Sequence, residues 1–221
     1  TPAPVPEELG GGVEIGIGFA YEADNVSGYQ IWRRNGATLT QTSARSVLGK
    51  IFTGHQWGSC DFNGDGSGDV FVGAERTSDR AGVYVMRDGT TGAGIVSGKY
   101  VSGALFYRHQ WMCANFAGAM GSAEELAHTM SRTSDQAAVY QIWDNTGTQI
   151  YGRFIDGGAF DDHEWKVAQD GNPATDCCPE LVVMKRRPSD HTHAFQMWDG
   201  NANTLRGSAF VNGPAVTVTD W

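Results

Sequence analysis

The chain has 221 residues, enough for one domain with a sizeable core, and 16 basic against 25 acidic residues give it a net charge of −9. This acidic balance excludes a general nucleic-acid or anionic-membrane binder, because such proteins need a basic face. The 40% content of hydrophobic residues excludes wholesale disorder, and no apolar run approaches the ~20 residues of a membrane span. We therefore expect neither a nucleic-acid partner nor a membrane span.

Residues 1–13 are rich in proline and glycine and precede the first strand pattern. Three prolines that alternate with other residues in Thr1–Leu9 favour an extended, polyproline-like conformation. The segment is predicted to be an extended N-terminal arm that lies on a neighbouring molecule. A frayed terminus, or a linker from a longer protein, remains an open alternative.

From residue 14 onwards, the chain repeats itself about every 55 residues. Three marks recur at near-constant spacing: a His-Gln/Glu-Trp triplet, an aromatic residue followed by a short apolar run, and an acid 15 residues before that aromatic. The triplets begin at His55, His109 and His163; the aromatics are Tyr29, Tyr84, Tyr140 and Phe195; the acids are Glu14, Asp69, Glu125 and Glu180. These marks predict four copies, at about 14–54, 55–108, 109–162 and 163–221.

Each copy contains four short strand patterns separated by turn residues. In the second copy the predicted strands are Gln56–Phe62, Val70–Glu75, Gly82–Arg87 and Ile95–Val101. Four strands per copy with no helix between copies is typical of a propeller blade. The sequence therefore predicts an all-β, four-bladed β-propeller with four antiparallel strands per blade, whose repeated aromatic residues fill the gaps between sheets. A β-solenoid or a β-sandwich is the competing interpretation.

The phase of the repeat predicts that one blade is split between the two ends of the sequence. Trp221 occupies the triplet position, and residue 1 falls in the segment that follows the triplet in other copies. Residues 215–221 should then supply the first strand of the blade that begins at residue 14. The residues assigned to closure or assembly are Val216, Val218 and Trp221 on one side and Glu14, Ile15 and Ile17 on the other. Closure within one molecule seals a ring, whereas closure between molecules builds an oligomer or a filament.

An acidic, glycine-rich loop follows the first predicted strand of the second copy. Its sequence is Asp61-Phe-Asn63-Gly-Asp65-Gly-Ser67-Gly-Asp69, with oxygen-bearing side chains at alternate positions. Such spacing can enclose a Ca²⁺ ion through the side chains of Asp61, Asn63, Asp65 and Asp69 and a backbone carbonyl near Ser67. The alternative is a turn rich in Asp and Asn that binds no metal.

The segment from Trp57 to Gly73 resembles the FG-GAP/VCBS-type repeats of calcium-binding β-propellers. The resemblance is clear in one of the four copies, and the other three agree only in strand pattern. It implies that the loop joins the first and second strands of a blade and holds calcium there.

The repeated histidines His55, His109 and His163 could face a common axis and form a three-histidine metal ring. The alternative is that each belongs to the repeat consensus and packs beside its tryptophan.

Cysteines Cys60, Cys113, Cys177 and Cys178 lack zinc-site spacing and allow three disulfide pairings. Cys60 and Cys113 lie in equivalent strands, but their distances from the tryptophan differ by one residue, so they should point to opposite faces. Disulfide bonds would suit an extracellular or cell-surface location, and four buried thiols remain the alternative. Asn25-Val-Ser27 is a possible glycosylation site.

Recognised catalytic patterns are absent from the sequence, and we predict that the protein is not an enzyme. Adjacent acids such as Asp161-Asp162 and Glu124-Glu125 face opposite ways in a strand and cannot share a substrate. The basic run Lys185–Arg187 is interpreted as a solvated turn. We predict a structural, self-assembling extracellular subunit, a homo-oligomer or filament stabilised by Ca²⁺. A carbohydrate-binding, lectin-like module is the alternative function. A polysaccharide-active enzyme ranks below both.

Overall fold

The computed structural model describes residues 14–20, 26–35, 37–49, 51–101, 103–116, 123–155, 160, 162–168, 179–190, 192–199 and 203–211. Within these residues the secondary structure consists of strands, with no helix that could cross a membrane. The strands are β1 Glu14–Ala20, β2 Ser27–Asn35, β3 Thr38–Leu48, β4 Phe52–Cys60, β5 Asp69–Arg76, β6 Gly82–Arg87, β7 Gly94–Tyr100, β8 Phe106–Ala114, β9 Glu125–Arg132, β10 Ala138–Trp143, β11 Gln149–Ile155, β12 Asp162–Ala168, β13 Glu180–Arg186, β14 His193–Asp199 and β15 Leu205–Val211.

The strands form four antiparallel sheets, and each sheet is built from consecutive strands. The sheets are β1-β2-β3, β4-β5-β6-β7, β8-β9-β10-β11 and β12-β13-β14-β15, and we call them sheets 1 to 4. The all-β prediction is confirmed. The sheets follow the order of the predicted copies, but β4, β8 and β12 begin before the predicted boundaries at 55, 109 and 163. The repeated acids mark the same place in three sheets. Asp69, Glu125 and Glu180 are buried, and each is the first residue of the second strand of its sheet.

The predicted strands of the second copy match the observed ones closely except at the start of β4. This strand begins at Phe52, four residues before the predicted Gln56. Phe52 and Thr53 pair with Arg76 and Glu75, and the register then shifts before Gln56. Gly54, with a φ of 63°, lies in the shift and provides the left-handed backbone conformation that such a bulge needs. The bulge broke the alternating pattern on which the prediction relied.

Successive sheets contact one another along one edge: β1 lies beside β4, β4 beside β8 and β8 beside β12. At each junction, a tyrosine of one sheet contacts a tryptophan on the first strand of the next sheet. The ring centroids are 6.3 Å apart for Tyr29–Trp57, 5.7 Å for Tyr84–Trp111 and 6.0 Å for Tyr140–Trp165. The predicted packing of repeated aromatic residues between sheets is therefore confirmed at three junctions.

A disulfide bond between Cys60 and Cys113 joins the first strands of sheets 2 and 3, with Cα atoms 6.2 Å apart. The sequence left the pairing open and placed the two side chains on opposite faces. Two neighbouring sheets meet through opposite faces. The face of sheet 2 that points towards sheet 3 meets the face of sheet 3 that points towards sheet 2. The one-residue offset is therefore what allows the two sulfurs to meet. Cys177 and Cys178 lie outside the described residues.

The turn between the second and third strands carries the same ion pair in three sheets. An arginine side chain donates two hydrogen bonds to an aspartate three residues later, in Arg76–Asp79, Arg132–Asp135 and Arg187–Asp190. The hydrogen bonds from arginine lower the pKa of each of these aspartates to about 2. The interpretation of Lys185–Arg187 as a solvated turn was wrong, because Lys185 is buried in β13 and Arg187 forms this ion pair.

Among the described residues, sheet 1 has three strands, whereas each of the other sheets has four. Its strands correspond, by repeat position, to the second, third and fourth strands of the other sheets. Within the described residues, no contact as extensive as those between successive sheets joins sheet 4 back to sheet 1. The arm at 1–13, the possible glycosylation site Asn25 and the predicted closing strand with Val216, Val218 and Trp221 lie outside the described residues. For Glu14 and Ile15, only the backbone position in β1 is described.

Candidate functional site

The acidic loop between β4 and β5 is wrapped around the carboxylate of Asp61. Asp61 Oδ1 accepts hydrogen bonds from the backbone N–H groups of Gly64 (2.7 Å) and Asp65 (3.0 Å), and Oδ2 accepts one from Gly66 (2.8 Å). The φ angles of Gly64 and Gly66 are 74° and 81°, a conformation that is unfavourable for residues with a Cβ atom. The glycines therefore allow the tight wrap that the sequence suggested.

The other predicted ligands lie beside Asp61 in the same loop. Asn63 donates from its side chain to Asp65 Oδ2 (3.1 Å) and from its backbone to Asp69 Oδ2 (3.1 Å). Asp65 Oδ1 accepts the N–H of Ser67 at 2.7 Å. Asp69 is fully buried, and its Oδ1 accepts the N–H of Gly89 at 2.9 Å. The structure thus brings all the predicted loop residues into one hydrogen-bonded cluster.

Two further acids belong to this cluster and were missed from the sequence. Asp88, at the end of β6, has Oδ2 3.4 Å from Nδ2 of Asn63. Glu124, just before β9, accepts the N–H of Asp61 at 2.6 Å and donates its own N–H to the Asp61 carbonyl at 2.8 Å. Asp88 could have been noticed as a repeated residue, because Asp144 and Asp199 occupy the same repeat position. Nothing in the local spacing singles out Glu124.

The electrostatics of the loop are dominated by uncompensated negative charge. Burial raises the pKa of Asp69 to about 6, and the charges of Asp88 and Asp65 add to that rise. Within the described residues, no lysine or arginine forms an ion pair with Asp61, Asp65, Asp69 or Asp88. An all-oxygen, anionic donor set is the kind that Ca²⁺ takes.

The donor chemistry of the loop therefore fits a calcium ion, whereas the arrangement of its side chains is that of a hydrogen-bonded turn. Most of the loop's carboxylate oxygens accept N–H groups. Across the described part of the chain, no three His, Cys, Asp or Glu side chains form a ready metal-binding group. Calcium at this loop is taken up below as a proposal.

The three repeated histidines do not form a metal-binding ring among the described residues. His109 lies in the junction between sheets 2 and 3, where Nε2 is 2.9 Å from the Arg80 carbonyl and Nδ1 is 2.9 Å from Nε2 of His128. His163 Nδ1 is 3.1 Å from the hydroxyl of Ser131. Burial lowers the pKa of His55 and of His109. These contacts agree with the packing interpretation.

In two of the repeated triplets, the glutamine side chain forms hydrogen bonds with the backbone of the first strand of the next sheet. Gln56 Oε1 accepts the N–H of Trp111 at 3.0 Å, and Gln56 Nε2 donates to the His109 carbonyl at 2.6 Å. Gln110 Oε1 accepts the N–H of Trp165 at 3.1 Å. The third triplet has Glu164 at this position, and its carboxylate is 3.2 Å from Nζ of Lys166. Gln56, Gln110 and Glu164 line one cavity of about 530 Å³ between the first strands.

The edge of sheet 1 is exposed where the equivalent positions of the other sheets are covered. Ile17 in β1 is 48% exposed, whereas its equivalents Val72, His128 and Val183 are at most 1% exposed. In sheet 3 this position pairs with the sheet's own first strand, because His128 lies opposite Trp111. In the described part of sheet 1, by contrast, β1 is the edge strand and no strand lies beside Ile17 on that side.

In sheet 4, an aromatic side chain is exposed at a position that is buried in the other sheets. Phe195 in β14 is 38% exposed, whereas its equivalents Tyr84 and Tyr140 are at most 1% exposed because they pack against the tryptophan of the next sheet. Met184, which pairs with Phe195 across β13 and β14, lines a cavity of about 250 Å³ together with Gln110, His163, Glu164, Lys185, Arg186 and His193. We use the name open junction for these two separate surfaces, the Ile17 edge and the Phe195 face, which closure of the ring would bring together.

Comparisons with known proteins give no family assignment: no family model matches the chain, and no curated protein does. Three solved structures show a partial likeness at a TM-score of 0.48. They are rhamnogalacturonan lyase YesW (11% identity), the exotype rhamnogalacturonan lyase YesX (13%) and the Bacillus licheniformis rhamnogalacturonan lyase PL11 (12%). Each alignment covers 86% of this chain but only 42–43% of the other, so the chain spans about two fifths of their length. A likeness of this size carries no conclusion about activity.

Proposed function

We propose that the chain is a non-catalytic β-propeller subunit that works by contact with other copies of itself. In this proposal, residues 215–221 form the first strand of sheet 1 and fill the open junction. The single observation that carries it is the exposure of Ile17 and Phe195 at positions that are buried in the other sheets.

The proposed strand has the residues that the open junction requires. Val216 and Val218 alternate with threonines, which suits a strand with one apolar face. Trp221 occupies the repeat position of Trp57 and Trp111, so it would cover Phe195 as Trp111 covers Tyr84. Full burial of a phenylalanine side chain contributes about 1.5–3 kcal/mol, so covering the 38% of Phe195 that is exposed would contribute about 0.6–1.1 kcal/mol.

Supply of this strand by a second molecule would make the subunit self-assembling. Among the described residues, β1 lies at the edge of sheet 1, and an edge strand is a place where another chain can pair. A contact of this head-to-tail kind gives a closed oligomer or an open filament. An extracellular or cell-surface location, contact through the arm at 1–13 and glycosylation at Asn25 belong to the same proposal and rest on the sequence.

Calcium is the cofactor we propose for this subunit, at the loop from Asp61 to Asp69. Support comes from the four carboxylates that lack a cationic partner and from the resemblance to FG-GAP/VCBS-type repeats. Asp61, Asn63, Asp65 and Asp69 would hold the ion, with a carbonyl near Ser67. Bound calcium would offset the repulsion between these carboxylates and fix the loop, a structural rather than a catalytic role.

The assembly proposal is tested by the mass distribution of the purified chain over a range of concentrations, measured by light scattering after size exclusion. We expect high-mass species in the wild type that increase with concentration and are lost in Trp221→Ala. Leu39→Ala serves as a matched control, because Leu39 is 54% exposed in β3, outside the open junction. Equal mass distributions for Trp221→Ala and the wild type would contradict the proposal.

The lectin-like alternative finds little support in the position of the tryptophans. Trp111, Trp143, Trp165 and Trp198 are at most 7% exposed and pack between sheets, so they offer no stacking surface to a sugar. Binding of the monomer to an immobilised glycan panel would favour that alternative over assembly.

A further inference from the structure

Three sheets carry an exposed aromatic side chain at the same position of their fourth strand. Each lies opposite the residue that precedes the repeated aromatic of the third strand, in the pairs Val83–Tyr100, Val139–Phe154 and Ala194–Phe210. The exposed fractions are 46% for Tyr100, 53% for Phe154 and 61% for Phe210. Sheet 1 has Ser46 at this position, opposite Gly28. Because sheet 1 pairs its strands with a serine there, the ring is not a requirement of the strand pairing.

An arginine side chain lies over each of these rings. The guanidinium carbon is 4.6 Å from the ring centroid in Arg76–Tyr100, 4.7 Å in Arg132–Phe154 and 5.9 Å in Arg187–Phe210. These are the arginines of the repeated ion pair between the second and third strands. We call each exposed ring, together with its ion pair, an aromatic–arginine patch. Sheets 2, 3 and 4 have one such patch each.

The ion pair of each patch holds its polar groups in fixed positions at the surface. In sheet 2, Asp79 accepts hydrogen bonds from Nε and Nη2 of Arg76 and from the backbone N–H of Ala81. The side chains of the three pairs are 33–38% exposed for arginine and 37–46% exposed for aspartate. Arginine Nη1, which the ion pair does not use, is a donor, and the aspartate oxygens are acceptors. Each patch thus has a donor and an acceptor beside its ring.

The patches of sheets 2 and 3 also have an exposed aliphatic neighbour. A phenylalanine of the first strand contacts the exposed ring, with centroids 6.4 Å apart in Phe52–Tyr100 and 6.3 Å apart in Phe106–Phe154. The residues directly before these phenylalanines, Ile51 and Leu105, are 52% and 64% exposed. In these two sheets the apolar part of the patch therefore extends beyond a single ring.

The chemistry of a patch selects among possible ligands. Arginine and aspartate cancel each other's charge, so a patch offers no net charge to an ionic ligand. A purely apolar ligand would cover the half-exposed ion pair without replacing its hydrogen bonds to water. A sugar ring suits both parts, because its C–H face can stack on the aromatic ring while its hydroxyl groups donate to aspartate and accept from arginine. The stacking surface that the buried tryptophans do not offer is present here.

We propose that the aromatic–arginine patches of sheets 2, 3 and 4 bind neutral carbohydrate, and that their ligand is a polysaccharide. Equivalent patches on one molecule favour a polymer of repeated sugars, because a second contact to the same polymer strengthens the first. This function goes beyond assembly and does not depend on it, since the patches lie outside the open junction at Ile17 and Phe195. Glycan binding then argues against assembly only where light scattering finds no high-mass species.

The test is affinity electrophoresis of the full chain in native gels that contain arabinoxylan, galactomannan, hydroxyethylcellulose or dextran. We expect at least one of these neutral polymers to retard the wild type. The triple variant Tyr100→Ser, Phe154→Ser, Phe210→Ser introduces the residue that sheet 1 has at this position. It should lower the association constant roughly tenfold or more, which corresponds to about 1.4 kcal/mol. Its high-mass species in light scattering should be those of the wild type.

Two controls separate the loss of the rings from a general effect of the substitutions. Leu39→Ser removes an exposed apolar side chain from β3 of sheet 1, which has no patch, and should bind as the wild type does. Tyr100→Phe keeps a ring of the kind that the other two patches have, and it should also bind normally. Circular dichroism checks that each variant is folded. The single variant Phe154→Ser should show a smaller loss of the same kind if the triple variant does not fold.

Three results would overturn this inference. The first is equal mobility of the wild type with and without each of the four polymers. The second is undiminished binding by a folded variant that lacks the rings, or an equal loss in Leu39→Ser. The third is a triple variant that loses its high-mass species while the wild type binds no polymer, because the patches would then be contact surfaces for protein. None of the first two results affects the assembly proposal, and a wild type that is monomeric at every concentration leaves this inference intact.

Discussion

The buried imidazoles of His109 and His128 are the most unusual pair of residues in the repeat. Other copies have Val72 and Val183 where sheet 3 has His128, which is fully buried and stacked on Trp111 at a centroid distance of 3.9 Å. Because the Arg80 carbonyl only accepts, His109 donates from Nε2 and must accept from His128 at Nδ1. Burial lowers the pKa of both, and that of His128 lies well below its ordinary value of 6.5.

This pair should make the protein less stable in mild acid. A histidine held neutral in the folded state binds fewer protons than in the unfolded state, so the free energy of unfolding falls as the pH drops below 6.5. If His128 stays neutral throughout, it should cost at most about 1.4 kcal/mol between about pH 7.5 and pH 5.5, and His109 should act in the same direction. His128→Val introduces the residue that two other sheets have at this position. It should remove the contribution of His128 to the pH dependence of the free energy of unfolding, which urea unfolding at both pH values measures.

The control for this measurement is Ile142→Val, a change at another buried position that does not titrate. Asp69 acts in the opposite direction: its pKa of about 6 means that its contribution to stability increases as the pH falls from about 6 towards 3.8. That contribution is common to all variants and cancels in the comparison. Equal pH dependence in His128→Val and Ile142→Val would show that the imidazole is not held neutral.

Glycine at position 73 is required by the tryptophan of the next sheet. A Cβ atom on Gly73 would overlap the Trp111 ring, and the same holds for Gly18 and Trp57. Gly73→Ala should lower the free energy of unfolding by about 1–3 kcal/mol, because the ring would have to leave its packed position. Gly49→Ala places a methyl group where no atom lies within 4 Å, and should change stability by less than about 1 kcal/mol. Equal losses in the two variants would argue against this packing.

At the scale of the strand, the junction between β4 and β8 is the most heavily linked in the described chain. It combines the Cys60–Cys113 disulfide, the two hydrogen bonds of Gln56 and the contact of Trp111 with Tyr84. The disulfide bond joins two residues with a sequence separation of 53. The loop that it closes restricts the conformations of the unfolded chain.

Removal of this disulfide should weaken the whole fold. Replacing both Cys60 and Cys113 by serine should lower the free energy of unfolding by about 4 kcal/mol on the chain-entropy account. Denaturant unfolding of the variant and the wild type measures the difference. Reductant should lower the stability of the wild type by a similar amount and leave the variant unchanged. A variant as stable as the oxidised wild type would show that the bond is dispensable.

Strands and sheets could be predicted from the sequence because the repeat fixes their period, whereas contacts between sheets could not. The positions of Tyr84 and Trp111 indicated an aromatic layer, and the spacing from Asp61 to Asp69 indicated a wrapped loop. The disulfide, the Gln56 bridge and the contact of Glu124 with Asp61 depend on which faces meet across a junction. One sequence gives the face of a residue in its own strand but not the neighbour it meets, so these features were found only in the structure.

For the whole molecule, the acidic loop from Asp61 to Asp69 matters because it is attached to the next sheet. Asp61 exchanges two hydrogen bonds with Glu124, which precedes β9, so the loop of sheet 2 is attached to sheet 3. An ion that fixes this loop would therefore stabilise the contact between two sheets. A ligand that binds only the folded state raises its stability by an amount that grows with ligand concentration.

Calcium should accordingly raise the melting temperature of the wild type, and a chelator should reverse the rise. At a hundredfold excess over the dissociation constant, the gain is about 2.7 kcal/mol, or roughly 5–10 °C for a chain of this length. Asp65→Asn should lose most of the gain, because it removes one charge while its amide oxygen can still accept the Ser67 N–H. Asp144→Asn is the control, because Asp144 accepts backbone N–H groups in a turn of sheet 3, outside the loop. A wild-type melting temperature that does not respond to calcium would identify the loop as a metal-free turn, and an equal response in Asp65→Asn would place the ion elsewhere.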